Sequence, residues 1–113
     1  MRVSNLYTLI FATLLAATFF LGSCGSDADA SRALSLIEAS GCQTCHKMEG
    51  ALIGPGYKEV AQRYSDADAK VIDQLTGSIL NGGSGNWGSV PMTPHPHISA
   101  EDAEIMVRYI LSL

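Results

Sequence analysis

Apolar residues fall into two patterns along the chain. Residues 6–21 form a nearly unbroken apolar run behind a single charge at Arg2, the charge-then-apolar order of a secretory signal. The run stops short of the ~20 residues that a membrane-spanning helix requires, which leaves a retained anchor as the weaker alternative. Residues 24–30 are small and acidic without an apolar anchor, and they predict a flexible tether. Beyond them the apolar positions recur at helical spacing. Residues 31–40 place Leu34 and Ile37 one turn apart, with Gly41 closing the element. Residues 57–64 predict a second helix, introduced by the breaker run Gly54-Pro55-Gly56. Residues 69–80 repeat Val71, Ile72, Leu75 and Ile79 with a 3.6-residue period. A fourth helix runs from Ser99 to the end, with Ser99 as N-cap, acidic residues in its first turn, and Ala103, Met106, Val107 and Ile110 as its apolar stripe. No strand pattern appears, so the expected class is all-α. Residues 81–97 carry four glycines, three prolines and no periodicity; a loop that long in so small a domain is usually functional.

At 113 residues the chain has room for one small domain. Its 7 basic and 11 acidic residues give a net charge of −4, and removal of Arg2 with a signal makes it more negative. Nucleic acid, which needs clustered positive charge, is not an expected partner. Short helices with modest apolar stripes bury little surface, and a domain of this size often needs a staple, a metal or a cofactor.

The chain has three cysteines, two of them in Cys42-Gln43-Thr44-Cys45-His46. A thioredoxin-like redox pair follows a strand, whereas a predicted helix precedes Cys42. A zinc site wants four ligands, and neither His95 nor His97 completes a finger or ribbon spacing with this pair. Cys-x-x-Cys-His is also the attachment signature of a c-type haem. Two thiols three positions apart on a helical turn reach two vinyl groups of one porphyrin edge, and His46 then has its imidazole available to the iron. The expected cofactor is therefore one haem c, covalent through Cys42 and Cys45.

Two resemblances extend this reading. Leu21-Gly22-Ser23-Cys24 resembles the lipobox of bacterial lipoproteins. It implies a signal peptide over 1–23 and a lipidated Cys24. It also implies an exported protein anchored to a bacterial membrane, facing the periplasm or the outside of the cytoplasmic membrane. Residues 31–113 resemble the small bacterial monohaem cytochromes c of class I, through the stretches at 42–46, 53–57 and 87–92 and the terminal helix. That resemblance implies about four short helices around one haem, with the first and last crossing. Gly41 would permit their close approach and Tyr109 would pack near the crossing.

The sixth ligand is open to several side chains. Met48 is too near His46 to reach the other side of the ring, and Met106 on the last apolar stripe has the ordinary placement of core filler. Met92, bracketed by Pro91 and Pro94, is the expected ligand and also stands where the family has its axial methionine; His95 and His97 are the alternatives. By resemblance, the Pro55 carbonyl accepts a hydrogen bond from the His46 ring N–H that faces away from the iron, and Trp87 binds a haem propionate. Pro55 as a helix breaker and Trp87 as a loop aromatic over the ring are the plainer accounts. An iron closed on both sides exchanges electrons and binds no substrate, so the expectation is an electron carrier between redox proteins rather than an enzyme. The rivals are a haem sensor or peroxidase with an open sixth site, a haem subunit of a larger oxidoreductase complex, and a haem-free thiol oxidoreductase.

Overall fold

A computed structural model describes residues 25–113, and the signal and lipidation readings for residues 1–24 lie outside the described residues. In chain order the elements are α1 (Gly25–Ala39), a 3-10 turn (Cys42–Thr44), α2 (Tyr57–Arg63), α3 (Ala69–Asn81), β1 (Gly83–Gly85), β2 (Gly88–Met92) and α4 (Ala100–Leu111).

The four expected helices are present, and their ends follow from local chemistry. Asp68 caps α3 by accepting the Val71 N–H at 2.9 Å, and Ser99 caps α4 by accepting the Asp102 N–H at 3.1 Å. Each such cap is worth ~1 kcal/mol. Glu101 and Asp102 stand in the first turn of α4 and Arg108 in its last, the arrangement favoured by the helix dipole.

Two elements depart from the sequence reading. The first helix begins at Gly25 rather than residue 31, running through the stretch expected to be a tether. Ala28 and Ala30 have the highest helix propensity, and Asp27 lies in the first turn, so an exposed extension of α1 forms without core contacts. The loop at 81–97 holds a two-stranded antiparallel hairpin, with Gly83 paired to Met92 and Gly85 to Gly88. Strand reading depends on alternating side chains, and these strands are mostly glycine and serine.

The core is a single cluster in which Ile37 of α1, Tyr57 of α2, Ile79 of α3 and Ala103, Met106 and Val107 of α4 meet. α1 and α4 pack directly on one another. Ala33 of α1 and Ala103 of α4 are both fully buried, at 0% exposure, and residues this small allow helices to approach closely. Gly41 has a different role from the one expected. A side chain there would meet only Thr44 Oγ1 at 4.0 Å, but its φ of 69° requires the left-handed region that glycine enters without penalty. Gly41 therefore ends α1 and turns the chain into the cysteine segment. Outside the core, Arg32 of α1 pairs with Asp102 at 2.6 Å, an exposed contact worth at most ~1 kcal/mol.

Candidate cofactor site

After Gly41 the chain closes one tight turn. The Cys45 N–H donates to the Cys42 carbonyl at 3.1 Å and the His46 N–H to the same oxygen at 3.0 Å. This turn sets the two thiols and the imidazole close together. Neither cysteine is in a disulfide, and both are half-buried. Burial raises the Cys42 thiol above its ordinary value, with a smaller lowering by a backbone hydrogen bond and a smaller rise from Cys45. A redox or metal-binding thiol needs the opposite shift. Among the described residues no group of three or more His, Cys, Asp or Glu gathers to hold a bare metal ion.

The segment from 46 to 58 then doubles back. The Gly54 N–H donates to the Cys45 carbonyl at 2.8 Å, and the Tyr57 N–H to the Lys47 carbonyl at 2.9 Å. Gly50 N–H donates to Glu59 Oε1 at 2.9 Å. These bonds bring the Pro55 carbonyl to 2.7 Å from His46 Nδ1. A carbonyl only accepts, so Nδ1 carries a proton, and in the neutral ring this makes Nε2 the nitrogen available to a metal.

Two residues that sequence reasoning did not assign complete this seat. A side chain at Gly54 would stand 2.5 Å from His46 Cε1 and 2.9 Å from Nδ1, so only glycine leaves room for the imidazole. The Tyr57 ring lies nearly parallel to His46, at 18° with centroids 5.7 Å apart. Its hydroxyl is buried without a hydrogen-bond partner among the described residues, and burial pushes it up to about 12. The stretch 53–57 was part of the family resemblance, but spacing alone carried no sign of a stacked ring.

Cys42, Cys45, His46, Gly54, Pro55 and Tyr57 line one cavity of ≈490 Å³, together with Ile37, Leu75, Ile79, Met106, Val107 and Ile110 from the core helices. The hairpin supplies further lining through Trp87, Val90 and Met92. Met92 also packs on the core cluster. His95 lines the cavity, with its backbone N–H fixed to the Ile79 carbonyl at 3.0 Å. His97 is exposed and outside the lining. Met48 is exposed, and Met106 is buried in the core at 1% exposure. The structure thus brings Cys42, Cys45, His46, Pro55, Trp87 and Met92 to one place. Cys24 lies outside the described residues.

The cavity fits a haem on its own evidence. It is mostly apolar, it opens at the core of a domain with few buried side chains, and glycine clears the space beside the imidazole. It presents an imidazole with Nδ1 held by a carbonyl, a thioether and two free cysteines.

Comparison with known proteins agrees. The family model described as Cytochrome c matches residues 30–113. Cytochrome c-551 of Allochromatium vinosum is 46% identical over 80 residues, covering 71% of this chain and 84% of that one. Cytochrome c-552 of Nitrosomonas europaea is 34% identical over 113 residues, covering 100% of this chain and 99% of its own. The crystal structure of wild-type Nitrosomonas europaea cytochrome c552 superposes with a TM-score of 0.65 at 35% identity, over 70% of this chain and 96% of that one. Matched by that family over residues 30–113, and with the attachment sequence gathered on one apolar cavity, the chain belongs to the class I c-type cytochromes and carries one haem c bound covalently through Cys42 and Cys45.

Proposed function

We propose that this cytochrome is a single-electron carrier between redox proteins outside the cytoplasm, with His46 and Met92 as the side chains that would hold its iron. The observation that carries the reading is the cavity shared by an imidazole whose Nε2 is left free and a thioether on the hairpin. The haem supplies a one-electron iron couple. The chain's part is to keep that couple closed to small molecules and set its potential. Pro55 keeps the proton on Nδ1 and so makes Nε2 the donor atom. Thioether ligation by Met92 raises the potential relative to a second imidazole. The apolar lining excludes water, and a drier, less polar surround disfavours the more highly charged ferric state. Trp87, 41% exposed at the hairpin turn, offers one indole N–H to a propionate.

The purified protein tests this directly. In the ferric state it is expected to show the weak red-end absorption band of methionine-ligated haem, and in the ferrous state to ignore carbon monoxide. A ferrous protein that binds carbon monoxide readily belongs to the sensor or peroxidase class instead.

No helix among the described residues is long and apolar enough to cross a membrane. Attachment is proposed at Cys24, after cleavage of residues 1–23, through a diacylated thiol in the bacterial lipoprotein manner. More than one acyl chain is needed for stable anchoring. Cys24→Ser is expected to move the protein from the membrane fraction to the soluble one with its visible spectrum unchanged. Continued sedimentation with membranes would remove the lipid anchor from the proposal.

A further inference from the structure

The hairpin that carries Met92 has little of its own to hold it. Gly83, Gly85 and Gly88 all have positive φ, and a two-stranded hairpin alone is marginal in water. One end is fixed, because Gly82 closes α3 through its N–H to the Ser78 carbonyl at 3.0 Å. The turn at the other end reaches back to the last turn of α2. Arg63 Nη1 donates to the Asn86 carbonyl at 2.7 Å, while the guanidinium carbon lies 4.4 Å from the Trp87 ring centroid. The same guanidinium stands 5.8 Å from the Tyr64 ring, and Tyr64 meets Trp87 edge-on with centroids 6.5 Å apart. Among the described residues, this is the one side-chain hydrogen bond from outside onto residues 83–92.

We propose that Arg63 is a positioning residue for the axial methionine: by clamping the Asn86–Trp87 turn it keeps β2 in the place from which Met92 ligates, and so sets how readily the sulfur is lost. The inference rests on Met92 being the sixth ligand. A planar guanidinium is suited to the task because it stacks on the indole and hydrogen-bonds in its own plane at once. An ammonium does one or the other. The clamp is exposed and weak enough to open, which makes it a place where the hairpin's grip on the iron is adjusted without touching the core.

The test is a pH titration of the ferric holoprotein, following the red-end band that reports sulfur on the iron, with helical circular dichroism recorded in parallel. A stacked cation and a charge-assisted hydrogen bond together are worth roughly a tenfold change in an equilibrium. Arg63→Gln is therefore expected to lose the band about one pH unit below the parent while helicity is unchanged. Arg63→Lys, which keeps the charge but not the fork, is expected to fall between them. Arg108→Ala, on α4 and away from the hairpin, is expected to titrate as the parent does. An Arg63→Gln protein with the parental midpoint overturns the clamp alone, and so does one that loses band and helicity together. A parent without the band overturns the Met92 assignment, and the clamp with it.

Discussion

Met92→Ala is expected to keep its haem covalently bound, to drop in reduction potential, and to bind carbon monoxide when reduced. Haem attachment runs through Cys42 and Cys45, on a turn built from its own backbone bonds, so removing a side chain on the hairpin does not touch it. The potential falls because water or hydroxide replaces a ligand that favours ferrous iron. The expected drop is on the order of 0.1–0.2 V, within the ~0.8 V range that axial ligands span. Potentiometric titration measures it, and the carbon monoxide difference spectrum reports the open site. A variant that titrates like the parent and still excludes carbon monoxide would place another donor on the iron. His95 is then the first candidate, since it lines the same cavity.

Removing both attachment thiols, in Cys42→Ala/Cys45→Ala, is expected to have the larger effect on the fold. The fully enclosed core is small: Ile37 and Met106 are the largest side chains with less than 2% exposure. Beside them lies the ≈490 Å³ cavity. At ~24 cal/mol per Å³, leaving that space empty costs up to about 12 kcal/mol, an upper figure because the cavity opens to water. Even half of it rivals the ~5–15 kcal/mol that holds a typical domain together. The double variant should carry no haem through a denaturing gel and should lose most of its helical circular dichroism. Either single variant keeps one thioether and is expected to show reduced haem retention. A haem-free chain with parental helicity would mean that the helices do not depend on the cofactor.

The helices were legible because their cores repeat apolar residues at one-turn spacing and their starts carry recognisable caps, as Ser99 does for α4. The cofactor was legible because five consecutive residues spell the attachment chemistry. Other features were hidden for specific reasons. The hairpin is written in glycines, which give periodicity nothing to act on. The forward extension of α1 to Gly25 depends on backbone propensity in a solvated stretch without an apolar stripe. The parallel stacking of Tyr57 on His46, and the clearance at Gly54, arise from a chain reversal held largely by backbone bonds, which leave no mark in the pattern of side chains. Arg63 and Trp87 are far apart in sequence, and nothing local marks either as a partner of the other. Gly41 reads as the point of a close helix approach, but its φ of 69° makes it a left-handed turn, a backbone property that spacing does not reveal.

The placement of the two proposed axial donors has a consequence for durability. His46 lies beyond the first helix and Met92 ahead of the last, so a long stretch of the sequence, residues 47–91, runs between them. Iron bound to both would act as a reversible clasp on that long loop, made only when the chain is folded, so the strength of the bond adds to the stability of the native state. Because thioether sulfur grips ferrous iron more firmly than ferric, the loop is tied more tightly after an electron arrives than after it leaves. The oxidised form is thus the easier one to unravel with denaturant, and exposure to proteases rises and falls with the traffic of electrons through the protein.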